Sequence, residues 1–130
     1  MWSSEHARAL VVEDNAETRA WLVSCVNSAF PELQVVAAAN LADAMELVST
    51  GQFDLALVDL GLPDGSGMDV VRALQQASGA CYVVVATIYD DDKNLFSALK
   101  AGARGYILKD QDRARIVSYL QGIKKNQPPL

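Results

Sequence analysis

Two periods of apolar residues alternate along this chain. Ala9–Val12 is an unbroken apolar run of strand length. From Asn15 the apolar positions Trp21, Leu22, Cys25, Val26, Ala29 and Phe30 fall three and four apart, which is the spacing of one helix face. Pro31 closes that helix. The alternation then repeats. Leu33–Ala39 predicts a second strand, and Asn40 is an N-cap for a helix carrying Leu41, Met45 and Val48 that ends at Gly51. Phe53–Val58 predicts a third strand. Ser66 caps the next helix, with Asp69 as a weaker stand-in for the acid of a capping box, and Met68, Val71 and Leu74 form its apolar stripe. Cys81–Ala86 predicts a fourth strand. Asp90–Asp92 open a helix whose positive end suits acids, with Leu95, Ala98 and Leu99 inward and Gly102 at its end. Gly105–Leu108 is a short fifth strand. Ile116, Leu120 and Ile123 mark a last helix, with Lys124 and Lys125 at its negative end.

Strands that are apolar at every position are buried on both faces, and strands separated by helices pair in parallel. The pattern therefore predicts an α/β fold: a (βα)5 doubly wound, five-stranded parallel sheet with helices on both faces. Right-handed crossovers leave few topologies, and the flavodoxin-like order 2-1-3-4-5 is the expected one. With 130 residues, 51% of them hydrophobic, the chain is long and apolar enough for one well-packed domain, placed at 7–125. Residues 126–130 read as a tail or the start of a linker. A net charge of −5 argues against a nucleic-acid surface on this domain, but not against a hard cation, which needs clustered carboxylates. Cys25 and Cys81 lie far apart in apolar surroundings and read as buried free thiols of a reducing compartment. The N-terminus lacks the apolar core of a signal peptide, and no apolar stretch is long enough to span a membrane, so the expected location is cytoplasmic. His6 and Trp2 read as lead-in residues.

The stretch LALVDLGLPDGSG, residues 55–67, carries the candidate chemistry. A buried strand ends on Asp59, where desolvating a carboxylate is costly. In an open doubly wound sheet, ligands bind beyond the carboxyl ends of the strands at the switch point in strand order. Glu13 and Asp14 follow strand one, Asp59 strand three, Thr87 strand four and Lys109 strand five. With strands one and three adjacent, Glu13, Asp14 and Asp59 crowd together and repel unless cations intervene. Lys109 supplies one positive charge, and Mg2+, which prefers oxygen ligands, is the natural candidate for the rest. A carboxylate so placed is a nucleophile toward phosphorus, giving an aspartyl phosphate. The metal and Lys109 would neutralise phosphoryl oxygens, and Thr87 would donate a hydrogen bond to another. The glycines after Asp59 let the backbone turn sharply and stay close to the site.

Singly, each residue has an ordinary reading. Glu13 and Asp14 can charge and cap the first helix, Asp59 can be a turn residue, Thr87 a plain strand residue and Lys109 a solvated lysine. The functional reading rests on their meeting at one edge.

At these residues the chain resembles a bacterial two-component response-regulator receiver domain. The matching pieces are VVED (11–14), LVDLGLPDGSGMDVV (57–71), VVVATIYDDD (83–92) and AGARGYILKD (101–110), which together span about Leu10 to Ile123. The resemblance implies that Asp59 is the phospho-acceptor, served by a sensor histidine kinase. It implies that Glu13, Asp14, Asp59 and the Gly61 carbonyl hold Mg2+, and that Thr87, the Ile88 backbone and Lys109 contact the phosphoryl group. Tyr106, three before Lys109, matches the aromatic switch: Thr87 moves toward phosphate, Tyr106 swings inward, and the face of the fourth helix, fifth strand and fifth helix changes. Two departures stand out. Ile88 occupies a place where many receivers have a small residue, and would narrow access to Asp59. Asp110 replaces a common proline, and LKD resembles the subfamily joined to a C-terminal helix-turn-helix (LuxR-type) DNA-binding domain. A homodimer is a further expected partner, and DNA is expected to bind only through that further domain.

Other functions fit less well. A haloacid-dehalogenase-type phosphatase carries a second acid two residues after its nucleophile, where this chain has Gly61, and needs a cap domain. A flavodoxin needs a Ser/Thr/Gly-rich phosphate loop after strand one, where this chain has EDNAETR. A stand-alone receiver, or a pseudo-receiver that binds partners without phosphorylation, remains the alternative, and Ile88 is the residue that speaks for the latter.

Overall fold

The apolar strands have helices on both sides. The computed structural model describes residues 7–77, 80–88 and 92–126. In chain order its elements are β1 (Arg8–Val12), α1 (Ala16–Ala29), β2 (Gln34–Ala38), α2 (Leu41–Thr50), β3 (Leu55–Val58), β4 (Gly61–Leu62), β5 (Gly65–Ser66), α3 (Gly67–Ala77), β6 (Tyr82–Thr87), α4 (Asp92–Ala101), β7 (Gly105–Leu108) and α5 (Arg113–Asn126). The main sheet is parallel, in the order β2-β1-β3-β6-β7. Setting aside β4 and β5, which form a short antiparallel ribbon, this is the expected 2-1-3-4-5 order.

Alternate residues of each strand feed two separate cores. Ala9, Val11, Leu55, Leu57, Val84 and Ala86 pack with α1 and α5 through Leu22, Val26, Ile116 and Leu120. Leu10, Val12, Ala56, Val58, Val83 and Val85 pack with α2, α3 and α4 through Ala44, Val71, Leu74 and Ala98. Each fully buried valine or leucine contributes about 1.5–3 kcal/mol relative to exposure. These runs therefore fix the register that places the strand ends. Both cysteines are free and buried, and burial pushes the Cys81 thiol up to about 12.

Several boundaries differ from the sequence expectation. Phe53 is buried but precedes β3, because the Asp54 carboxylate accepts the Arg8 N–H at 3.0 Å and bends the chain there. Leu33 and Ala39 flank β2, and Cys81 precedes β6, which instead includes Thr87. Ser66 does act at the start of α3, its hydroxyl accepting the Met68 N–H at 3.1 Å. Asp69 does not close a capping box: it pairs with Arg72 one turn on, at 3.0 Å. Asn15 and Asn40 cap α1 and α2 as N-caps should.

The larger correction concerns α4. Leu99 is 47% exposed and Phe96 61%, and within the helix only Ala98 is buried. Of the expected stripe Ala98 is buried and Leu95 half-buried, and the expectation fails at Leu99, because the small residue makes the closest contact. Met45 of α2 is likewise exposed. Expectations resting on Trp2, His6, Asp90 and residues 127–130 lie outside the described residues, as do the side chains of Lys124 and Lys125.

Candidate functional site

The sheet ladder runs one residue past three strand ends and sets the site from there. The Glu13 N–H donates to the Ala38 carbonyl at 3.0 Å, the Asp59 N–H to Val12 at 2.9 Å and the Lys109 N–H to Thr87 at 2.9 Å. Glu13 and Asp59 are therefore neighbours, because Val12 and Val58 are register partners. Lys109 starts two strands from Asp59, roughly 10 Å at the usual strand spacing. Its side chain crosses β6: Nζ lies 2.6 Å from Glu13 Oε1 and 3.2 Å from Asp59 Oδ2.

Glu13, 1% exposed, is held at both oxygens, since Oε2 accepts the Asn15 N–H at 3.1 Å. Asp59 is buried and Asp14 is exposed. Each of the three carboxylates offers an oxygen within 4.8 Å of the others. Lys109 pairs with two of the three acids, which leaves the site with surplus negative charge. Burial drives the Glu13 pKa above the ordinary range, outweighing the Lys109 and Asn15 hydrogen bonds, and the Asp59 charge adds to it. Burial works against the Lys109 ammonium, but the Glu13 hydrogen bond and the two carboxylate charges prevail and hold its pKa above normal. Clustered hard oxygen donors, one solvent-facing, fit a Mg2+ ion that keeps several of its waters.

These groups open into a cleft of about 770 Å³. Glu13, Asp14, Asp59, Gly61, Ile88 and Lys109 all line it. Ile88 is 71% exposed, so its side chain stands mostly in solvent at the cleft wall. Thr87 sits at the predicted strand end but is fully buried, and it is not part of the lining. Tyr106 is half-buried against the α2–α3–α4 core.

Several contributors escaped the sequence reading. Arg19 donates to the Glu13 and Asp14 carbonyls at 3.1 and 3.4 Å and ties down the loop carrying both acids. Trp21 of α1 and Asp110 also line the cleft. Arg19 was findable only as a basic residue one turn into a helix that follows two acids, a weak signal.

The glycines after Asp59 divide the work unequally. A Cβ on Gly67 would stand 1.9 Å from the Asp59 carbonyl oxygen, so α3 can pack against the Asp59 backbone only with glycine there. Gly65 has a φ of 157°, whereas a Cβ on Gly61 meets nothing within 4 Å. Gly67→Ala is therefore expected to cost about 1–3 kcal/mol or more in urea unfolding, as overpacking does. Gly61→Ala should stay within about 0.5 kcal/mol. Equal losses for both would show that close approach to Asp59 is not the constraint.

The sequence model of the family "Response regulator receiver domain" matches residues 9–121. The chain is 36% identical over 104 residues to the DNA-binding transcriptional activator DevR/DosR of Mycobacterium tuberculosis, covering 79% of this chain and 48% of that protein. It is 31% identical over 113 residues to the nitrate/nitrite response regulator protein NarL of Escherichia coli K12, covering 86% of this chain and 52% of NarL. The chain thus spans about half the length of these curated relatives. Among solved structures, a LuxR-family two-component response regulator from Aurantimonas sp. SI85-9A1 superposes with a TM-score of 0.78 at 29% identity, over 91% of this chain and 84% of that one.

Proposed function

We propose that this chain, which belongs to the response regulator receiver domain family, is a switch set by phosphorylation of Asp59. Residues 7–125 are the receiver, and 126–130 a tail or the start of a linker. The observation that carries the reading is the buried Asp59 carboxylate at a cleft wall, 3.2 Å from the Lys109 ammonium and clustered with Glu13 and Asp14.

The donor is a phosphohistidine of a sensor kinase. An Asp59 oxygen attacks phosphorus, the P–O bond forms, the P–N bond breaks, and the histidine leaves with a proton. Lys109 is placed to pair with a phosphoryl oxygen, and the Thr87 hydroxyl and Ile88 N–H are the further donors. Glu13, Asp14, Asp59 and the Gly61 carbonyl would hold Mg2+, with Glu13 also holding Lys109. Bound there, the ion supplies charge neutralisation for the transferring group.

The new charge draws Thr87 toward it, Tyr106 takes the space released, and the face of α4, β7 and α5 shifts as a change of population. Any hydrolysis of the adduct is slow and on itself, so the chain is a switch rather than an enzyme with turnover. The output is transcription, through a DNA-binding domain like those of the relatives, in the cytoplasm, with a second copy of the chain as a further partner. The relatives' names support this output. Among the described residues no helix is long and apolar enough to cross a membrane.

The test is incubation with acetyl phosphate and MgCl2, read by intact mass. A single phosphoryl adduct that disappears when EDTA replaces Mg2+ is the expected result. No adduct on the native chain or on Ile88→Ala, which opens the cleft wall, would sink the reading in favour of a module that binds partners without phosphorylation.

A further inference from the structure

The ribbon of β4 and β5 connects the cleft to α2. Its first residue, Gly61, lines the cleft and pairs with Ser66, while Leu62 pairs with Gly65, leaving Pro63 and Asp64 at the tip. From that tip the Asp64 carboxylate reaches the start of α2: Oδ1 accepts the Leu41 N–H at 2.7 Å and Oδ2 the Ala42 N–H at 3.0 Å. The tip and the helix also touch, because the Leu41 side chain lies 2.5 Å from where a Cβ on Gly65 would stand. The helix already has a local cap, since Asn40 Oδ1 accepts the Asp43 N–H at 2.8 Å. A ribbon of two-residue strands is too short to hold its own posture. Its base is fixed where Gly67 abuts the Asp59 carbonyl, and its tip where Asp64 meets α2.

We propose that Asp64 is a positioning residue of the acidic cleft: by clamping the ribbon tip to the N-terminus of α2, it holds Gly61 where its carbonyl can complete a Mg2+ site with Asp14 and Asp59. This rests on the metal reading given above. A simple helix cap would act on α2 alone, whereas a clamp acts on Gly61 as well. Both Asp64 bonds cross from one element to another, so losing them frees the ribbon.

Three variants separate these roles. Asp64→Ala removes the clamp, Asp64→Asn keeps one acceptor, and Asn40→Ala removes the other cap of α2 without touching the ribbon. In calorimetric titration with MgCl2, Asp64→Ala should bind about tenfold more weakly, as loss of a residue supporting a metal ligand does. Asp64→Asn should fall between, and Asn40→Ala should match the native protein. In metal-free buffer, amide exchange of residues 61–66 should quicken in Asp64→Ala and not in Asn40→Ala. Equal Mg2+ affinity in all four proteins would overturn the proposal and leave Asp64 a helix cap. If the native chain binds no Mg2+, the reading of the cleft falls and this proposal with it, an outcome seen before any variant is compared.

Discussion

Asp59→Asn is expected to take up no phosphoryl group from acetyl phosphate and Mg2+ while keeping a stable fold. The amide nitrogen and oxygen are poor nucleophiles toward phosphorus, and among the described residues neither neighbouring carboxylate is placed as Asp59 is. Asp14 is exposed, and both Glu13 oxygens are engaged by Lys109 and Asn15. Stability should change by no more than about 1 kcal/mol, because the lost terms oppose one another. The substitution removes repulsion from Glu13 and Asp14 within 4.8 Å and attraction from Lys109 at 3.2 Å. Intact mass and a urea melt of the same sample check both halves. A persisting adduct would move the acceptor to another residue, and a collapsed fold would make the Asp59 carboxylate structural.

Lys109→Met is expected to produce the largest loss of stability, and a loss that depends on pH. The lysine is the cation that bridges Glu13 and Asp59. Removing one partner of a buried pair leaves an uncompensated charge and costs about 3–5 kcal/mol. Glu13 already has a raised pKa from burial, and loss of the Lys109 hydrogen bond raises it further. A carboxyl whose folded pKa lies above its unfolded value, near 4.5, stabilises the fold below that value. It loses this stabilisation as pH rises through the folded pKa. In EDTA, then, the variant's deficit should be smallest at acid pH, where Glu13 is protonated, and should grow as pH rises through the raised Glu13 pKa. Adding Glu13→Gln to Lys109→Met should recover most of the neutral-pH loss. A deficit that is flat across pH, with no recovery, would mean that Lys109 acts through packing.

How much of this was legible in the sequence depended on the range of the interaction. The strand runs Ala9–Val12 and Leu55–Val58, the cap Asn40 and the terminator Gly102 are local signals, so the elements followed from them. The meeting of Glu13, Asp59 and Lys109 was legible through topology, since a known strand order states which ends are neighbours. The α4 expectation failed because spacing identifies an apolar face but not whether anything covers it. Leu99 and Ala98 look equally suited to a core until packing chooses the alanine. Asp69 failed as a capping partner because Arg72, one turn away, competes for its carboxylate.

The sequence alone determined the alternating βα order, the double-sided burial of the strands and the acids at their ends, because backbone hydrogen bonding and apolar periodicity act between near neighbours. Only the tertiary structure decided which carboxylate oxygens Lys109 reaches, that Gly67 rather than Gly61 must lack a side chain, and that Asp64 ties the ribbon tip to α2. Those depend on distances of a few ångströms between segments far apart in the chain. Such distances are set by how both cores pack at once, and no local run of residues carries that information.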